Sequence, residues 1–128
     1  DLVGRTGLTL PTKITMETVC YFAPREGCGI DHTVAAMPIF IPYAHTNGIT
    51  AHGYYGLPQI EKWGVKASAH YCGAELTDPN VTKRPDMTHP RVKEVIESTK
   101  NLARALLPHT DVDNPAHTET CLYTTTPD

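Results

Sequence analysis

Between His89 and Pro108 apolar residues recur every three or four positions. Val92, Val95, Ile96, Leu102, Ala103, Leu106 and Leu107, with Thr99 among them, form one stripe, the mark of an amphipathic helix. Thr88 or His89 can cap it, Pro90 suits its first turn and Pro108 ends it. From Pro90 to Leu107 such a helix runs roughly 27 Å, enough to lie across a whole sheet. Elsewhere the period is two. Leu8, Leu10, Ile14, Met16, Cys20 and Phe22 alternate with Thr9, Lys13, Thr15 and Glu17, which predicts a half-buried strand from Leu8 to Phe22. A second strand is predicted from Met37 to Tyr43, where Pro38 and Pro42 push it toward an edge. Asn47-Gly48 supplies the positive φ angles of a tight hairpin, and Ile49 to Tyr55 returns. Val65 to Tyr71 reads as the next strand and Thr118 to Thr126 as a final, threonine-rich one. Eleven prolines and nine glycines enforce short elements. The 128 residues fit a single domain. The fold class predicted is α+β: a mostly antiparallel sheet covered by one long helix.

Several classes of function fall away at once. A net charge of −3 with no basic cluster offers no nucleic-acid surface. The longest apolar stretch, Val34 to Ala44, is interrupted by two prolines and falls short of the ~20 residues of a membrane span. Asp1 to Arg5 has no signal-peptide pattern, so an intracellular protein is expected. No G-x-G-x-x-G occurs, so the chain has no dinucleotide pyrophosphate loop of the usual kind. The four cysteines include no C-x-x-C. The nearest histidine–cysteine pairs, His70 with Cys72 and His117 with Cys121, lack a second pair at zinc-module spacing. No metal site is predicted.

Chemistry is carried by two strands. In Gly64 to Tyr71, Lys66, Ser68 and His70 share one face, while Val65, Ala67, Ala69 and Tyr71 share the other. Lys66 and His70 then lie ~13 Å apart. This polar face is either plain solvent surface or the wall of a cavity for an anionic or redox-active ligand. In the last strand Cys121 and Tyr123 share a face opposite Thr120, Leu122 and Thr124, and a cysteine beside an aromatic usually packs, so the pattern alone reads Cys121 as structural rather than reactive. Tyr54 and Tyr55 point to opposite faces, so one should be buried while the other can reach a pocket. Trp63 reads as a loop anchor.

The ordered set Tyr54-Tyr55-Gly56-Leu57-Pro58, Gly64-Val65-Lys66 with His70 four residues on, and Cys121-Leu122-Tyr123-Thr124 followed by Thr126-Pro127-Asp128 resembles the monomeric sarcosine oxidase and N-methyltryptophan oxidase family. Peroxisomal sarcosine oxidases share it, and the likeness runs from about Leu8 to the last residue. The resemblance implies that residues 1–128 are a single substrate-binding domain fragment of an FAD-dependent amine oxidase. The family's Rossmann-like FAD domain has no counterpart in the chain. It implies that Cys121 holds the flavin through a thioether at the 8α carbon and that Lys66 lies over the flavin ring. His70 would stand by the substrate amine, and Tyr55 and Tyr123 would line the substrate cavity. Lys66 and His70 are the implied catalytic residues. The implied reaction is oxidation of a secondary amino acid such as sarcosine, with O2 going to hydrogen peroxide, in the cytoplasm or a peroxisome. Fructosyl-amino-acid and saccharopine oxidases share the superfamily and stay open as alternatives. The fragment alone is expected to be inactive, to hold little or no FAD and to self-associate through its uncovered flavin-facing surface. The competing reading is a non-catalytic α+β module that binds a small ligand or a partner.

Overall fold

The computed structural model describes residues 4–42, 53–60, 62–76 and 87–126. Its elements in chain order are a short 3-10 turn at Gly4–Thr6, β1 Lys13–Phe22, β2 Gly53–Leu57, β3 Val65–His70, β4 Ala74–Leu76, α1 Pro90–Leu106 and β5 His117–Thr125. Among the described residues every strand pairing is antiparallel and one α-helix covers the sheet, so the α+β architecture expected from the change of period is the one observed.

β1 is the spine. It pairs along nearly its full length with β5, from Lys13 opposite Thr125 to Tyr21 opposite His117. Its other edge is shared: Cys20–Phe22 face Ala67–Val65 of β3, and Ile14–Met16 face Leu76–Ala74 of β4. β2 extends the sheet beyond β3, with Tyr55 opposite Ser68. β3 and β4 therefore act as one strand broken by a bulge. Four steps along β1, from Met16 to Cys20, are matched by seven from Ala67 to Ala74, and the three additional residues are Tyr71, Cys72 and Gly73. A bulge re-aims side chains and strengthens local twist. Tyr71 takes a left-handed conformation there, with φ 55°, and Gly73 passes so close to Met16 O that a Cβ would collide with that carbonyl.

The helix covers one face only. Val92, Val95, Thr99, Leu102 and Ala103 are buried as the stripe predicts, together with Ser98, whereas Leu106 of the same stripe is 45% exposed. Two apolar clusters form beneath it: Cys20, Phe22, Val65, Ala67, Ala103, Leu107 and Val112, and then Tyr54, Ala69, Cys72, Val95 and Leu102. His89 caps the helix, its Nδ1 accepting the Arg91 backbone N–H at 3.2 Å, and Pro90 follows at the first position.

Three expectations need correction. The first strand begins at Lys13, not Leu8, and Leu8 and Leu10 stand 63% and 55% exposed. Nor is it half-buried, because residues 16–22 are buried on both faces and Glu17 is 1% exposed. Neighbours on both edges, the helix on one side and large rings on the other, leave the central strand little water. Residues 37–42 form no strand but an isolated bridge, Phe40 with Gly56. Pro38 and Pro42 lack the N–H groups a ladder needs. The Asn47-Gly48 turn lies outside the described residues. β4 has no counterpart among the strands expected from the sequence, since three residues behind a bulge carry no period.

Candidate functional site

The face of the sheet away from α1 gathers the polar side chains. Alternation places Thr15, Glu17, Val19 and Tyr21 of β1 on it, with Lys66, Ser68 and His70 of β3 and Tyr55 of β2. Register then places His117, Glu119, Cys121 and Tyr123 of β5 opposite Tyr21, Val19, Glu17 and Thr15. All five residues singled out from the sequence, Tyr55, Lys66, His70, Cys121 and Tyr123, thus share one surface. Tyr54 points the other way: it is 1% exposed under the helix, its hydroxyl 2.6 Å from Ser98 Oγ.

Two clusters organise this surface. At one end the Lys66 ammonium lies 3.6 Å from Glu119 Oε1 and 5.6 Å from the centre of the Tyr21 ring. The Tyr21 hydroxyl donates to the same Glu119 oxygen at 2.6 Å. Trp63 stacks on His117 at 4.0 Å and meets Tyr21 edge-on at 5.5 Å, so it anchors its loop on the rings of this face.

At the other end His70 is the hub. Its Nδ1 is 3.3 Å from the Tyr123 hydroxyl, and its ring is 6.0 Å from Tyr55, 4.0 Å from Tyr71 and 5.4 Å from Tyr123. Tyr71 and Tyr123 are 5.4 Å apart, edge to face. Burial raises the phenol of Tyr55 above its usual range, and Ser68 and Tyr123 hydrogen bonds partly oppose it. Burial also raises Tyr123, helped by the neighbouring Tyr55 and Cys121. Both phenols therefore stay neutral near pH 7 and act as hydrogen-bonding walls.

Glu17, Tyr21, Tyr71, His117 and Glu119 belong to this surface but were not foreseen. The alternation of β1 had put Glu17 on the right face with solvent as its neighbour. Tyr71, expected on the face opposite His70, is instead turned toward it by the bulge, which has no sequence signature beyond Gly73. Neither histidine–cysteine pair becomes a ligand set, for among the described residues no three His, Cys, Asp or Glu side chains converge on a common point. No disulfide joins any of the four cysteines. Among the described residues no helix is long and apolar enough to cross a membrane.

Fold and surface together define an α+β domain with one helix-covered face and one polar, aromatic face. No protein-family model matches the chain. It is similar to a probable sarcosine oxidase of Arabidopsis thaliana, 30% identical in an alignment 124 residues long that covers 95% of this chain and 27% of that relative. The chain therefore spans little more than a quarter of that protein's length.

Proposed function

We propose that this chain is the substrate-binding, flavin-facing domain of a larger FAD-dependent oxidase acting on a small secondary amino acid such as sarcosine. The observation that carries the proposal is the convergence of Tyr55, Lys66, His70, Cys121 and Tyr123 on the one sheet face that α1 leaves uncovered. Similarity to a probable sarcosine oxidase supports the same reading.

The residues suit a flavin. Cys121 is partly exposed on that face, so it is the residue that would hold the flavin, through a thioether. When bound, FAD supplies oxidation of the carbon–nitrogen bond and delivers the electrons to O2. Lys66 contributes a fixed positive charge where negative charge grows on oxygen, the kind of preorganised electrostatics that lowers barriers most. Tyr21 and Glu119 hold that ammonium in place. The ring of His70, oriented by Tyr123, presents a nitrogen to the substrate amine. Tyr55 and Tyr123 exclude water from the cavity. In this proposal the FAD-binding domain lies outside residues 1–128, and those residues alone neither retain FAD nor turn over.

The test is the visible spectrum of the complete protein after acid precipitation. Flavin absorbance is expected to stay with the pellet and to leave it in Cys121→Ser. A colourless complete protein would overturn the oxidase reading and leave a ligand- or partner-binding module.

A further inference from the structure

The two outer edges of the sheet end differently. Beyond β2 the chain closes the edge itself. The Phe40 N–H donates to Gly56 O at 3.0 Å, the Phe40 carbonyl accepts from the Gly56 N–H at 2.9 Å, and the Tyr54 N–H donates to Pro42 O at 3.3 Å. β5 has no such cover. It pairs with β1 from His117 to Thr125 in unbroken register, and among the described residues no strand or isolated bridge adjoins its other side. Alternate residues along that side turn their backbone N–H and C=O groups away from β1.

An open edge is a template for another strand, and natural sheets blunt theirs with lysine, proline, a bulge or short length. β5 uses none of these. It is nine residues long, contains no Lys, Arg or Pro, and runs without a bulge. Its one carboxylate, Glu119, is drawn onto the polar face by Lys66 and Tyr21. Four threonines and Tyr123 give it the composition of a strand with neighbours on both sides. Burial tells the same story. Residues 16–22 of β1 are buried, yet no residue of β5 is, and Leu122 stands 42% exposed. α1 packs on β1 and β3, so the helix-side row of Thr118, Thr120, Leu122 and Thr124 lies beyond its cover.

We propose that the outer edge of β5 is filled in the complete protein by an extended segment of the same chain from outside residues 1–128, hydrogen-bonded to it as a further strand. Nearly three-quarters of the similar oxidase has no counterpart in these residues, which is where such a segment would come from. A tethered segment is present at an effective concentration of about millimolar, which favours it over a second copy. Its helix-side residues are apolar, because they meet Leu122 and the threonine methyl groups. The inference rests on the oxidase reading only for residues 1–128 belonging to a longer chain, and not on any flavin chemistry.

Site-resolved amide hydrogen exchange on the complete purified protein, at concentrations where sedimentation shows single copies, tests this. With the edge filled, every amide from Thr118 to Thr124 is expected to exchange at least about a hundredfold more slowly than those of the exposed turn at Glu26 and Gly27. Fast exchange at every second residue overturns the inference, because only the set bonded to β1 is then protected. Slowing that sets in only as copies associate also overturns it, and assigns the edge to a second molecule. The flavin spectrum separates the two proposals. Flavin with an open edge keeps the oxidase and discards the added strand, whereas a colourless protein with a filled edge does the reverse.

Discussion

Thr18 carries its hydroxyl into the helix-facing side of β1, where Oγ1 is fully buried and has no hydrogen-bond partner. An orphaned hydroxyl costs more than it contributes. Thr18→Val, of the same shape, is therefore expected to raise stability by about 1 kcal/mol, read as a higher midpoint in urea unfolding at unchanged slope. Two other residues give the domain a pH dependence. Burial pushes the Cys20 thiol from 9.0 to about 12 against the opposing charge of Lys100. Burial, with Glu17 adding to it and Arg91 opposing, does the same to Cys72. The folded state thus keeps both thiols neutral while the unfolded chain ionises them above about pH 9. Between 9.0 and about 12 the unfolded state binds fewer protons, so stability falls as pH rises, by up to ~1.4 kcal/mol per pH unit for each thiol. Denaturation followed from pH 8 to 11 should show the decline, and Cys20→Ala should lessen its slope.

At the scale of elements, β1 and α1 hold the domain together. Leu102 lies between the helix and the cluster of Tyr54, Ala69, Cys72 and Val95, and Leu102→Ala is expected to cost about 2–5 kcal/mol in chemical denaturation. The bulge behind β3 is the other critical element. Gly73→Ala would drive a methyl group into the Met16 carbonyl, forcing the two strands apart and costing about 1–3 kcal/mol. The same change should turn Tyr71 away from His70, so the His70 ring-proton NMR shifts, which neighbouring rings perturb, should move toward random-coil values. The surface ion pairs of Arg104 with Glu97 and Asp113 matter less, since exposed pairs contribute little.

For the whole molecule, the helix buries one side of the sheet and leaves the other to rings and charges. If that second face packs against another domain of the complete protein, residues 1–128 expressed alone leave it open, and their apparent mass in sedimentation velocity should rise with concentration. A clean monomer at high concentration would count against such packing. What the sequence determined by itself was local and periodic. The three- and four-residue spacing from Val92 to Leu107 located the helix within a residue of its observed end. Strand alternation put Lys66 and His70, and separately Cys121 and Tyr123, on common faces, because side-chain direction follows from backbone geometry alone. Only tertiary structure decided that those two strands flank β1, so that their polar faces join into one surface. It also turned Glu17 from a solvent residue into a buried one, and it broke β3 from β4 so that Tyr71 meets His70. Those outcomes depend on pairings between residues some fifty or more positions apart. Such pairings are settled by which surfaces fit together when the chain packs, and no local period encodes them.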